Sequence, residues 1–114
     1  MKGFEAWSEI VKEEKEYFRR YRDYVKKIKE VAEREMEDVT TIVFGSVVEG
    51  KATPRSDIDV LVVSENMPSG EARSKLRGKI LREVGVFSPF EIHLVNEKEF
   101  EWYKRFLKKY EEID

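Results

Sequence analysis

Two β-branched runs, Val39–Phe44 (VTTIVF) and Asp57–Val63 (DIDVLVV), flank a polar segment that opens with Gly45-Ser46, and both read as strands. Side chains alternate along a strand, so Asp57 and Asp59 point to one face, about 7 Å apart along the chain, together with Leu61 and Val63. That face is acidic at one end and apolar beyond. A third strand, Phe90–Val95 (FEIHLV), follows a helix expected over Gly70–Val84, where Leu76, Ile80 and Val84 recur every four residues. One helix between the second and third strands is a βαβ crossover, which predicts that they run parallel with their starting ends together. If the first two strands are antiparallel neighbours, Gly45-Ser46, Asp57 and Glu91 all meet at one edge of the sheet.

The remaining chain reads as helix. From Phe4 to about Glu37 the apolar residues Phe4, Trp7, Val11, Phe18, Tyr21, Val25, Ile28 and Ala32 step by threes and fours, without Gly or Pro. The polar face offers acid-to-base pairs four apart: Glu16 with Arg20, Asp23 with Lys27, Glu30 with Arg34. Such a helix would span roughly 50 Å, against a globule roughly 35 Å across. It must therefore overhang, which would call for a partner or a second copy, or break near Tyr21 with both halves on the sheet. A last helix is expected over Glu97–Glu111, with Phe100, Tyr103, Phe106, Leu107 and Tyr110 on its apolar side. The result is an α/β (α+β) chain: a mixed sheet of at least three strands flanked by helices. Charge is spread evenly along it, so residues 1–114 form one domain: a helical segment 1–38 (a long helix or helix pair), a core 39–96 and a C-terminal helix 97–114.

With 22 basic and 24 acidic side chains among 114 residues, the chain lacks the strongly basic footprint of a duplex-wrapping protein, which argues against nucleic acid as its main ligand. The absence of cysteine excludes a disulfide framework and a cysteine-based zinc site. No apolar run approaches a membrane span and the N-terminus lacks a signal-peptide core, so a cytoplasmic location is expected. Glutamine is absent, asparagine occurs only at Asn66 and Asn96, and Lys and Glu abound, a composition that suggests a thermophilic source. An unfolding midpoint above the roughly 45–65 °C of mesophile domains is the expected result of a thermal melt.

Three carboxylates at one sheet end, Asp57, Asp59 and Glu91, repel one another and shift in pKa unless a cation neutralises them. Oxygen ligation without cysteine suits Mg²⁺, with Mn²⁺ able to replace it. Gly45-Ser46 supplies close backbone approach, amide donors and a hydroxyl for phosphate oxygens. Gly50 is a second permissive point. Lys51, Arg55 and Ser56 share the loop as nucleotide-binding candidates, the two cations as phosphate counter-charges. Two metals about 4 Å apart on such carboxylates favour in-line phosphoryl chemistry.

At these residues the chain resembles a known family. Gly45-Ser46, ten residues, Asp57-Ile58-Asp59, with Gly50 four after the serine and a carboxylate on a later strand, is similar to the minimal nucleotidyltransferases of the DNA polymerase beta-like superfamily. The resemblance covers about residues 38–96. It implies a palm-like mixed sheet, Mg²⁺, and transfer of a nucleoside monophosphate, with ATP as the expected donor, to a hydroxyl. By position, Ser46 would contact triphosphate, Asp57 and Asp59 would bind metal, and Glu91 would be the third carboxylate, bridging metal or acting as general base. Small members of the family are often antitoxins of a helical HEPN-domain toxin, and some attach AMP to a partner tyrosine. At this length a catalytic subunit that needs a partner is expected, as a hetero-oligomer or a homodimer. Glu49 stands where the family usually carries a basic residue, which keeps open a non-catalytic antitoxin of the same fold acting by occlusion. A third reading, modification of a small molecule, lacks an acceptor domain.

Other groups have simpler expected roles. His93, the single histidine, shares a face with Glu91 and Val95 and reads as an edge histidine with one hydrogen bond. Arg73, Lys75, Arg77, Lys79 and Arg82 read as the solvated face of their helix, and Glu99 and Glu101 as N-terminal helix charges. Trp102, Tyr103, Phe106 and Tyr110 read as packing residues.

Overall fold

A computed structural model describes Lys12 and residues 15–114. In chain order the elements are helix α1 (Tyr21–Glu33), strand β1 (Thr40–Phe44), the single helical turn α2 (Ser46–Glu49), β2 (Ile58–Val63), α3 (Gly70–Val84), β3 (Phe90–Val95), α4 (Glu97–Lys104) and β4 (Tyr110–Ile113). The sheet order is β3-β2-β1-β4. β1 is antiparallel to β2, which meets the condition for the glycine turn to reach the acidic strand ends, and β2 is parallel to β3, as the single crossover helix predicts.

Residues 15–19 are also helical, and the helix breaks at Arg20, whose φ of −115° and ψ of 29° leave the helical region. Of the two expectations for the long N-terminal helix, the break is the one realised within the described residues. Tyr17 and Phe18 before it pack on the core that α1 covers, and the Tyr17 hydroxyl donates to the Val84 carbonyl at 3.0 Å. Phe4, Trp7 and Val11 lie outside the described residues. The ion pairs differ from the expected four-apart set: Glu16 pairs with Arg19, Arg20 with Asp23, and Arg34, past the end of α1, reaches Glu83 of α3. Exposed pairs of this kind are worth at most about 1 kcal/mol.

Alternation along the strands separates two cores. Val43, Ile58, Val60, Val62, Ile92 and Leu94 face α1 and α3, meeting Val25, Ile28, Leu76 and Ile80 in the main core. Ile42, Leu61, Val63 and Val95 face the other way, under Phe100, Tyr103 and Leu107. Asp59 and Glu91 belong to this second face by the same period of two, so the acidic end of the sheet opens on the side of α4.

The expected helix over Glu97–Glu111, and with it a helical 97–114 segment, is corrected. It starts as foreseen, with Asn96 and Glu99 forming a reciprocal capping box, but ends at Lys104. Tyr110–Ile113 instead pair antiparallel with β1, whose outer edge would otherwise leave its backbone groups unpaired. The strand is tied down by side chains: Tyr21 donates to Glu111 Oε1 at 2.6 Å, Arg22 Nε to Glu111 Oε2 at 2.6 Å, and buried Thr41 to the Ile113 carbonyl at 2.9 Å. Arg22 and Tyr21 hold the Glu111 carboxyl below its usual range, while burial, followed by Glu111, pushes the Tyr21 phenol up to about 12. Among the described residues no helix is long and apolar enough to cross a membrane.

Candidate active site

The β-ladder lays Tyr110, Phe44, Asp59 and Glu91 in one row across all four strands, on the α4 side of the sheet. Register alone therefore brings Asp59 and Glu91 side by side. Two rungs further in, and so on the same face, His93 is paired with Leu61. Its Nε2 lies 3.3 Å from Asp59 Oδ1 and 3.8 Å from Glu91 Oε1. Ligand atoms of Asp59, Glu91 and His93 all fall within 4.8 Å of one another.

The chain leaves β1 through Gly45, at φ 82° and ψ −156°, a backbone region essentially restricted to glycine. The same glycine lets β1 end against the acid: a Cβ here would sit 2.6 Å from Asp59 Oδ2. α2 starts immediately, and its first amides, at Ser46 and Val47, have no intrahelical carbonyl to bond. Gly50 closes the turn in the left-handed conformation, with φ 73°. Gly45 thus lies against Asp59, one alternation inside the expected Asp57, and Ser46 follows it as the first residue of α2.

The other nucleotide-side candidates lie along the loop that follows. Lys51 Nζ is 4.0 Å from Glu49 Oε1, so the acid at the unusual position has a cation opposite it. The Ser56 hydroxyl accepts from the Thr53 amide at 2.8 Å and thereby shapes the loop. Arg55, Ser56 and Asp57 line an open cleft of about 370 Å³ with Phe18, Pro54, Phe87 and Pro89. Asp57 is exposed and precedes β2, outside the tight group of three. It remains part of the same field, because the Glu91 carboxyl is pushed above its ordinary value by partial desolvation and then by Asp59 and Asp57, against an opposing pull from His93. With 54% of the Glu91 side chain in solvent, screening keeps this modest. The two neighbouring carboxylates suit a divalent cation that takes oxygen ligands, of the Mg²⁺ or Mn²⁺ type.

His93 was not among the sequence candidates, although its period-two spacing from Glu91 placed it on the right face. Nothing local marks Tyr103, whose hydroxyl lies 3.4 Å from His93 Nδ1. It is delivered by α4, which Arg73 anchors. That guanidinium meets both Glu99 carboxylate oxygens at 3.0 Å and the Pro68 carbonyl at 2.7 Å. Arg73 and the Asn96 amide hold the Glu99 carboxyl below its usual range. Arg73 and Arg77, the latter bonded to the Ile92 carbonyl, are thus structural rather than a solvated face. The aromatic group also divides. Tyr103 packs inward, but Trp102 on α4, Phe106 just past its end and Tyr110 at the start of β4 are more than half exposed.

A mixed sheet whose Gly-Ser turn closes on an acidic strand start is the framework of a polymerase beta-like nucleotidyltransferase. Residues 25–113 match the nucleotidyltransferase domain family, and the chain belongs to it. A crystal structure provisionally described as a nucleotidyltransferase is 37% identical, with a TM-score of 0.68 over 79% of this chain and 97% of that one. Another so described, from Sulfolobus solfataricus, shares the fold at 19% identity and a TM-score of 0.52, over 90% of this chain and 83% of that one. No curated protein sequence matches. The resemblance to the minimal nucleotidyltransferases therefore holds, and the domain is that of a transferase.

Proposed function

We propose that the protein transfers AMP from ATP to a hydroxyl on a helical protein partner, in the manner of an antitoxin that silences a HEPN-type toxin. The observation that carries this reading is the closure of Gly45 on the Asp59 carboxylate, beside Glu91, at one sheet edge. In this reading the Gly45-Ser46 turn receives the triphosphate through backbone amides and the Ser46 hydroxyl, with Arg55 and Lys51 as nearby counter-charges. Asp57, Asp59 and Glu91 hold divalent metal, which when bound offsets phosphate charge and favours attack by the acceptor oxygen. Glu91, with its raised carboxyl, is placed to take the acceptor proton. The choice of a protein acceptor is supported by the exposed Trp102, Phe106 and Tyr110 on the same side of the sheet, since clustered aromatic surface is typical of protein interfaces.

The Glu49–Lys51 contact favours a second reading, because it occupies a cation that the first would direct to phosphate. In that reading the chain keeps the fold and neutralises its partner by occlusion alone. One experiment separates the two: purify the chain with the product of its neighbouring reading frame, add ATP and Mg²⁺, and weigh both proteins by intact mass spectrometry. An AMP adduct on the partner that disappears with Asp57→Ala is the expected result. A stable complex without added mass would favour occlusion.

A further inference from the structure

We propose that His93 is itself a ligand of the catalytic cation, so that the site holds metal through mixed oxygen and nitrogen donors and prefers Mn²⁺ to Mg²⁺. This rests on the nucleotidyltransferase reading of the site and adds a residue that its pattern of three carboxylates does not contain. Three features carry it. The Nε2 atom points into the acidic group, within 3.3 Å of Asp59 Oδ1 and 3.8 Å of Glu91 Oε1, so an ion bridging the two carboxylates would have imidazole nitrogen in reach. The opposite nitrogen, Nδ1, faces the Tyr103 hydroxyl at 3.4 Å. A hydroxyl there is able to accept the Nδ1 proton of the tautomer whose Nε2 lone pair faces the carboxylates, the arrangement by which metal-bound histidines are oriented.

The ring is also held in place. Phe44 lies 5.5 Å from it on one side and Tyr103 5.8 Å away, edge-on, and only 22% of the side chain is exposed. A histidine serving only as a hydrogen-bond donor to Asp59 would not need Glu91 within reach of the same nitrogen. Imidazole binds Mn²⁺ better than Mg²⁺, which keeps to oxygen, so the nitrogen shifts the site toward Mn²⁺.

The chain contains one histidine, which makes the test unambiguous. The full-length protein is loaded with Mn²⁺ and tripolyphosphate, an anion free of nitrogen, and examined by electron spin-echo envelope modulation. Imidazole ¹⁴N modulation is expected, replaced by the ¹⁵N pattern when histidine alone is ¹⁵N-labelled, a control that leaves folding untouched. In titrations His93→Gln should lose about tenfold in Mn²⁺ affinity while Mg²⁺ affinity changes less than about threefold. Bound Mn²⁺ without imidazole coupling, or no Mn²⁺ binding at millimolar concentration, overturns the proposal. If AMP transfer with Mg²⁺ persists in that case, only the role of His93 falls. Imidazole coupling in a protein that transfers to no acceptor would instead leave the metal site standing and remove the proposed reaction.

Discussion

Asp59→Asn is expected to lower nucleotidyl transfer by roughly a thousandfold or more, the loss of about 4 kcal/mol of transition-state stabilisation. The substitution keeps the shape of the side chain and its reach to His93 but removes the charge at the point where β1, β2 and β3 come together. Folding should be nearly unaffected. Asp59 is three-quarters covered, yet its acidic neighbours Glu91 and Asp57 gain from losing a like charge, so the unfolding free energy should change by no more than about 1 kcal/mol. Single-turnover transfer and a denaturant melt on the same preparation check both halves. Activity within tenfold of the parent would remove Asp59 from the reaction.

Gly45→Ala should damage the site by a different route. The added Cβ would meet Asp59 Oδ2 at 2.6 Å, and the backbone at φ 82° is one that alanine adopts only under strain. The strain is worth about 1–3 kcal/mol of stability. Moving the carboxylate aside by an ångström is enough to cost about a hundredfold in rate. Gly50→Ala is the matched comparison, since position 50 is also left-handed, at φ 73°, but has nothing within 4 Å of a new Cβ. It should lose about 1–2 kcal/mol of stability and leave Asp59 where it is. Equal losses of activity in both variants would mean that loop strain, rather than the approach to Asp59, governs the site.

Much of this site could be read before any coordinates. Period-two alternation put Asp57 and Asp59 on the same face, and the crossover rule put the strand of Glu91 parallel to theirs with starting ends together. Those two arguments bring the carboxylates to one end of the sheet, and the register of the strands then sets Asp59 and Glu91 side by side. Asp57 illustrates where they weaken. It shares the parity of Asp59, but it stands outside β2, where alternation no longer constrains a side chain, and it lines the cleft with Arg55 and Ser56.

Residues 105–113 show the opposite case. Apolar spacing continued the last helix through Tyr110, and nothing in that stretch favours a strand over a helix. The strand forms because the free edge of β1 offers backbone partners, and because Tyr21 and Arg22, ninety residues earlier, hold Glu111. The same dependence on distant contacts explains Tyr103, which reaches His93 from α4, a helix that Arg73 ties down through Glu99 and that packs on the second core. Spacing and residue chemistry by themselves determined the parallel run of the two strands that carry the acids and the class of reaction they suit, since these follow from local periodicity and crossover topology; the antiparallel pairing of β1 with β2 then brought the glycine turn to them. Tertiary structure alone decided the break at Arg20, the fourth strand and the place of His93 in the acidic group, since each depends on which distant surfaces meet once the chain has closed.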